Sequence, residues 1–124
     1  MTHGTMNGPL TYIAGPYGSD PIGNTRLAIK ALHALLDGGV PAICPHLSML
    51  ADFYFERKYE DWMGLDLVLV ERCDVVLRLP GHSPGADREV EHADMHGIPV
   101  VYVSWWGLDH YAQAVRNADL RSKP

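Results

Sequence analysis

Four short apolar runs, each bounded by proline or glycine, constrain the fold of this chain more than any other feature. Leu10-Thr11-Tyr12-Ile13-Ala14-Gly15 stops at Pro16, and Val40-Pro41-Ala42-Ile43-Cys44 stops at Pro45-His46. Asp74-Val75-Val76-Leu77-Arg78-Leu79 stops at Pro80-Gly81, and Ile98-Pro99-Val100-Val101-Tyr102-Val103 is the fourth. The runs are continuous rather than alternating, the pattern of strands covered on both faces. Between them the apolar spacing is helical. Leu27, Ala28, Ala31, Leu32, Leu35 and Leu36 form one stripe, capped by Asn24 or Thr25 and stopped by Gly38-Gly39. Residues 59–72 form another, with Trp62, Leu65, Leu69 and Val70 as its apolar positions, and residues 86–96 a third, closed by Gly97. A short helix is expected over 108–117. Residues 47–59 are aromatic-rich, with helix one option.

The order β-α-β-α-β-α-β-α with right-handed crossovers predicts an α/β fold. It is a doubly wound, open parallel sheet, Rossmann- or flavodoxin-like, of four to five strands in a single domain. The domain is expected over residues 10–124, after a polar, glycine-containing lead over 1–9 that reads as floppy. In such sheets ligands bind beyond the carboxyl ends of the strands.

Composition narrows the function. Apolar residues make up 47% of the 124 residues and charged ones 20%, enough core for a folded domain and too little charge for disorder. A net charge of −5 argues against a nucleic-acid polymer as partner but allows a nucleotide ligand. No run approaches the ~18 apolar residues of a membrane span. The two cysteines, Cys44 and Cys73, match no metal spacing and read as buried reduced thiols. A cytoplasmic protein with no cofactor is expected.

The topology brings three loops to one rim: 15–23, 45–47 and 80–85. In the third, Ser83-Pro84-Gly85-Ala86-Asp87-Arg88-Glu89 runs into a helix start. Gly85 allows close backbone approach, and Ser83 with the free amides of the first turn suits an anion. Glu89, one turn in, can face the same rim. The same residues also make an ordinary N-capped helix with a solvated glutamate. Tyr17 and His46 fall at strand ends, placed to stack on or hydrogen-bond a base, or simply to pack. His92 and His96 share a helix face at i, i+4, with Glu89 at i−3 to His92. This reads as a solvated face rather than a metal site. Trp105-Trp106 pack either under the terminal helix or against another subunit.

Tyr12-Ile13-Ala14-Gly15-Pro16-Tyr17, Asp66 before Asp74, and Ser83-x-Gly85-x-x-x-Glu89 together resemble the nucleoside 2-deoxyribosyltransferase superfamily. The likeness includes its 2′-deoxynucleoside 5′-phosphate N-hydrolase branch. It is nearer to a branch of small proteins with a GPY start and a PHL segment, here Pro45-His46-Leu47. It spans about Tyr12 to Val103. The resemblance implies that Glu89 attacks the anomeric carbon, Tyr12 orients that carboxylate, Asp66 binds the sugar or protonates the leaving base, and Ser83 contacts the 5′ group. With the rim loops read as above, Gly15, Tyr17, His46 and Gly85 are the further expected substrate contacts. A small-molecule nucleoside or nucleotide is the implied partner, and a homo-oligomer sharing its sites the implied assembly. The phosphate-hydrolase branch carries an arginine in its first loop. This chain has none between Gly15 and Gly23, and Arg26 on the following helix is the nearest.

The chemistry is coherent. Breaking an N-glycosidic bond builds positive charge on the sugar, which a carboxylate stabilises or traps, while a second acid protonates the departing base. Two other readings fit the same residues. One is a module that senses a nucleotide without turnover. The other is a phosphoribohydrolase, because Pro80-Gly81-x-x-x-Gly85-x-x-x-Glu89 is similar to the PGG-GT-E loop of enzymes that cleave modified adenosine monophosphates. The exposed-looking Phe53, Tyr54, Phe55 and Trp105-Trp106 add to the expectation of a homo-oligomer.

Overall fold

The computed structural model describes residues 5–123. Four parallel strands, β1 (Thr11–Ala14), β2 (Ala42–Ile43), β3 (Val75–Arg78) and β4 (Val100–Tyr102), lie in the order β2-β1-β3-β4. Five α-helices connect and follow them: α1 (Pro21–Asp37), α2 (Ser48–Tyr54), α3 (Tyr59–Arg72), α4 (Pro84–Met95) and α5 (Tyr111–Ser122). This is the expected single-domain, doubly wound α/β fold.

Strand periodicity sorts side chains to the two faces. Ile13, Val75, Leu77 and Leu79 point to one face and pack with Ala28, Ala31 and Leu35 of α1 and Ala112, Val115 and Ala118 of α5. Tyr12, Ala14 and Val76 point to the other and pack with Val70 of α3 and Ala86, Val90 and Ala93 of α4. The alanines let the helices sit close to the sheet.

Several boundaries differ from the sequence expectation. Helix α1 begins at Pro21, and its cap is Asp20, whose carboxylate accepts the Gly23 amide at 3.2 Å. Proline suits the first helical position because its missing N–H has no partner there anyway. Asn24, expected as a cap, instead donates its side-chain amide to the Tyr17 carbonyl and Ser19 Oγ, both at 3.1 Å. Thr25 is buried inside the helix. Helix α4 likewise starts at a proline, Pro84, with Ser83 as its cap. Along α3 the buried positions are Met63 and Val70, whereas Leu65 is exposed. A 3₁₀ turn at Leu108–His110 precedes α5, which runs on to Ser122.

Of the expected lead over 1–9, residues 1–4 lie outside the described residues. Within the rest, the Asn7 amide donates to the Gly39 carbonyl at 2.9 Å and Pro9 is buried. Trp105 packs half-buried against the α1/α5 core, while Trp106 is exposed. No helix among the described residues is long and apolar enough to cross a membrane.

Candidate functional site

The strand order reverses between β1 and β3, since β1 leads outward to β2 and β3 to β4. A crevice is expected at that point, and a cleft of about 570 Å³ lies there. Three loops form its floor and are locked to one another. The His46 ring nitrogen Nε2 donates to the Pro16 carbonyl at 2.9 Å. Gly81, at φ +114°, lies against Pro16, whose Cγ would be 2.8 Å from any Cβ placed there. Gly15 is buried, with Leu79 Cβ 3.0 Å from the Cβ it lacks. Glycine at 15 and 81 thus lets the first and third loops close on each other.

Two carboxyl groups face the cleft. Glu89 is buried on the first turns of α4 and accepts a short hydrogen bond from the Tyr12 hydroxyl, which reaches it from β1. Asp66 lines the cleft from α3. Burial pushes the Asp66 carboxyl up to about 7. Burial also pushes Glu89 up to about 8, assisted by the Asp66 charge and opposed by the Tyr12 hydrogen bond and the Arg78 guanidinium. The Tyr12 phenol is held far above its ordinary range, by burial first and by the Glu89 charge second, so it stays a hydrogen-bond donor. Dry surroundings and like charge therefore keep at least one proton on the carboxyl pair near neutral pH.

The remaining walls come from residues that sequence reasoning passed over. Asp52 of α2 accepts from Trp62 Nε1 at 2.7 Å and from the Arg57 amide at 2.9 Å, which ties α2 to α3. Tyr59, Trp62 and Met63 of α3 and Met49 of α2 give the cleft an apolar, partly aromatic side. The Tyr59 hydroxyl lies 3.1 Å from where a Cβ on Gly85 would be, so only glycine fits at 85 without displacing it. Arg78 is buried at the end of β3. Its guanidinium donates to the carbonyls of Leu79 and Gly81 and to Asp87, fixing the loop that carries Ser83. These roles depend on contacts across the fold, and no local spacing announces them.

The residues expected from the sequence to bind or act on substrate meet at this cleft. Gly15, Tyr17, His46, Asp66, Ser83, Gly85 and Glu89 line it, and Tyr12 supports Glu89 from beneath. Ser83 Oγ accepts the Ala86 amide at 3.0 Å, which leaves its own hydroxyl proton free to donate. His46 is held neutral by burial, and with Nε2 donating to Pro16 its Nδ1 is a buried acceptor without a protein partner. The Tyr17 and His46 rings meet edge to face, their centroids 6.1 Å apart.

Within this setting the chain matches one family model, described as a domain of unknown function (DUF7768), over residues 9–103. The chain belongs to that family. The matched segment runs from just before β1 to just after β4, so it includes every residue of the cleft. Among curated proteins no match to the chain was found.

Arg26, His92 and His96 fall elsewhere. Arg26 lines a separate groove on the outer side of α1 with Lys30, His33 and Asp109. His92 and His96 lie toward the C-terminal end of α4, and Glu89, hydrogen-bonded to Tyr12 and one turn before His92, does not join them. Glu71 of α3 meets the two histidines instead.

Proposed function

We propose that the cleft binds a nucleoside and breaks its N-glycosidic bond, by hydrolysis or base exchange, with Glu89 as nucleophile. The observation that carries this reading is the buried Tyr12–Glu89 hydrogen bond in a cleft that also holds Asp66. In the forward step a Glu89 oxygen bonds to the anomeric carbon as the carbon–nitrogen bond breaks. The electron pair leaves with the base, which takes a proton from Asp66. Water or a second base then attacks the glycosyl ester, gives its proton to the Asp66 carboxylate, and releases Glu89. Tyr12 aims the carboxylate and steadies its charge. The aromatic wall of Trp62, Tyr59 and Tyr17 suits the flat face of a base.

This chemistry needs Glu89 ionised and Asp66 protonated. Glu89 is pushed to about 8 and Asp66 to about 7, so base release is expected to peak between those values. Below them Glu89 is neutral, and above them Asp66 has lost its proton. Among the described residues no lysine or arginine lines the cleft, whereas Asp52, Asp66 and Glu89 do. That balance favours an uncharged 5′-hydroxyl over a 5′-phosphate. A homo-oligomer is part of the reading: Phe53 and Phe55, each 81% exposed, lie on and just after α2, next to the cleft-lining Asp52, and a second copy would cover them. Light scattering that finds a lone chain turning over substrate would remove that part.

One observation favours a second reading, a nucleoside sensor without turnover. Burial keeps Glu89 neutral at pH 7, and a neutral carboxyl is a good hydrogen-bond partner for a base but a poor nucleophile. A panel of deoxynucleosides, ribonucleosides and their monophosphates separates the two. Release of free base, with deoxynucleosides or ribonucleosides preferred over monophosphates, supports the enzyme. Thermal stabilisation by the same compounds with no base released supports the sensor. Neither release nor stabilisation would overturn both.

A further inference from the structure

Helices α3 and α4 run side by side in the same direction, with the cleft at their N-terminal ends. At the other end of the pair, Glu71 from α3 meets His92 and His96 from α4. One ligand atom from each lies within 4.8 Å of the others. His92 Nε2 is 2.8 Å and His96 Nε2 is 3.3 Å from the same carboxylate oxygen, Glu71 Oε1. The two imidazole rings stand 4.4 Å apart.

We propose that this trio is a binding site for a first-row divalent metal ion of the zinc type. Three features point there. Histidines at i, i+4 on a helix present two nitrogens to one point in space, and the carboxylate from a second helix supplies a third ligand of a type zinc accepts. The spacing fits: bond lengths of about 2.0–2.2 Å put two ligands of a tetrahedral zinc ~3.3 Å apart. The separations of 2.8 and 3.3 Å from the Glu71 oxygen lie within about half an ångström of that, and all three ligand atoms are within 4.8 Å of one another. The tautomer also fits. His96 Nδ1 is 2.8 Å from the His92 carbonyl, which can only accept, so Nδ1 carries the proton. Nε2 of His96 is thereby the nitrogen turned toward the Glu71 carboxylate oxygen, where an ion can sit between them. A backbone carbonyl holding the far nitrogen of a ligand histidine is a usual outer-shell arrangement.

The site is half open, with His92 partly covered and Glu71 and His96 exposed. Water would complete the coordination. The ion replaces whatever proton bridges His92 and Glu71 and cross-links α3 to α4. It lies away from the cleft, so the proposal stands independently of the reading given for Glu89.

Calorimetric titration of the full chain with zinc chloride tests it. The expected result is saturable binding of one ion per chain. His92→Ala and His96→Ala should each weaken it at least about tenfold, and Glu71→Gln should weaken it as well. All three positions are surface-facing, and circular dichroism checks that the variants fold. Cobalt in place of zinc should give a spectrum without thiolate-to-metal charge transfer, since Cys44 and Cys73 are not involved. A measurement on the unaltered chain adds a second check: Cu²⁺ should broaden NMR signals around residues 71, 92 and 96 first. Absence of saturable zinc binding at millimolar metal would overturn the site. So would unchanged affinity in the His92→Ala/His96→Ala double variant, a thiolate band with cobalt, or broadening centred elsewhere.

Discussion

The two faces of the sheet are built to opposite rules. On the α1/α5 face the strands present Ile13, Val75, Leu77 and Leu79, and the helices answer with alanine, leucine and valine. A polar side chain buried there, such as Thr25 of α1, is an uncharged hydroxyl. On the α3/α4 face the same strands present Tyr12 and Arg78 beside Ala14 and Val76, and the helices bring Asp66 and Glu89. Burying an ionisable group without full compensation costs stability. The second face therefore carries groups that a purely structural core would exclude. The first face supplies the stability that this requires. On the proposed reading one side of the sheet is scaffold and the other carries the chemistry, and substitutions can test the division.

The largest effect is expected at Glu89. Glu89→Gln keeps the shape and an acceptor for the Tyr12 hydroxyl but removes the nucleophilic charge. Base release is expected to fall by about a thousandfold or more, with the fold intact by circular dichroism. A variant working at the unaltered rate would make Glu89 merely structural and erase the contrast between the faces.

Leu35→Ala probes the scaffold face. Leu35 is fully buried between α1 and the sheet. Its truncation is expected to cost about 2–5 kcal/mol of stability by denaturant titration. Turnover per folded molecule should not change. A specific loss of turnover in the folded fraction would show that the scaffold face also shapes the site.

The pH dependence of stability sharpens the contrast. The folded-state pKa of Glu89 is raised from an ordinary 4.5 to about 8, so the folded state binds the extra proton. Its contribution is fully present below the ordinary value and is lost as pH rises toward the raised one. The native protein should therefore lose stability between about pH 5 and pH 8. Glu89→Gln lacks this titration, so its stability relative to the native protein should improve over that window, by up to a few kcal/mol. Melting curves at several pH values read this out. Parallel curves for the two proteins would mean that Glu89 is ionised throughout.

The smallest effect is expected at Tyr12. Tyr12→Phe leaves the ring packed and removes one hydrogen bond, about 1 kcal/mol of stability. The rate should fall further than that, roughly ten- to a hundredfold, because the nucleophile is no longer aimed. Unchanged kinetics would demote Tyr12 to core.

Much of this arrangement was legible in the sequence, for identifiable reasons. Continuous apolar runs ending in Gly15-Pro16, Pro45-His46 and Pro80-Gly81 mark buried strands and the loops at their carboxyl ends, so the rim could be drawn before the fold was seen. Helix starts were harder. Pro21 and Pro84 read as loop residues, although proline at the first helical position after Asp20 or Ser83 is favourable. The α2/α3 wall was not legible, because Asp52, Tyr59 and Trp62 acquire their roles only when α2, α3 and α4 meet. Arg78 was hidden inside an apolar run. Its burial makes sense only once the carbonyls of Leu79 and Gly81 turn back over it. The same limit explains the histidines. Local spacing suggested Glu89 as their neighbour, but a hydrogen bond to a tyrosine 77 residues away holds Glu89 at the cleft.

The central claim is that Glu89 bonds to the sugar, and it can be tested by what becomes attached to it. The protein is mixed with a deoxynucleoside, quenched in acid during turnover, digested and weighed by mass spectrometry. The account predicts a glycosyl increment on the peptide containing Glu89, absent from Glu89→Gln treated the same way. Base released at the same rate by both proteins, with no increment on that peptide in either, would contradict it.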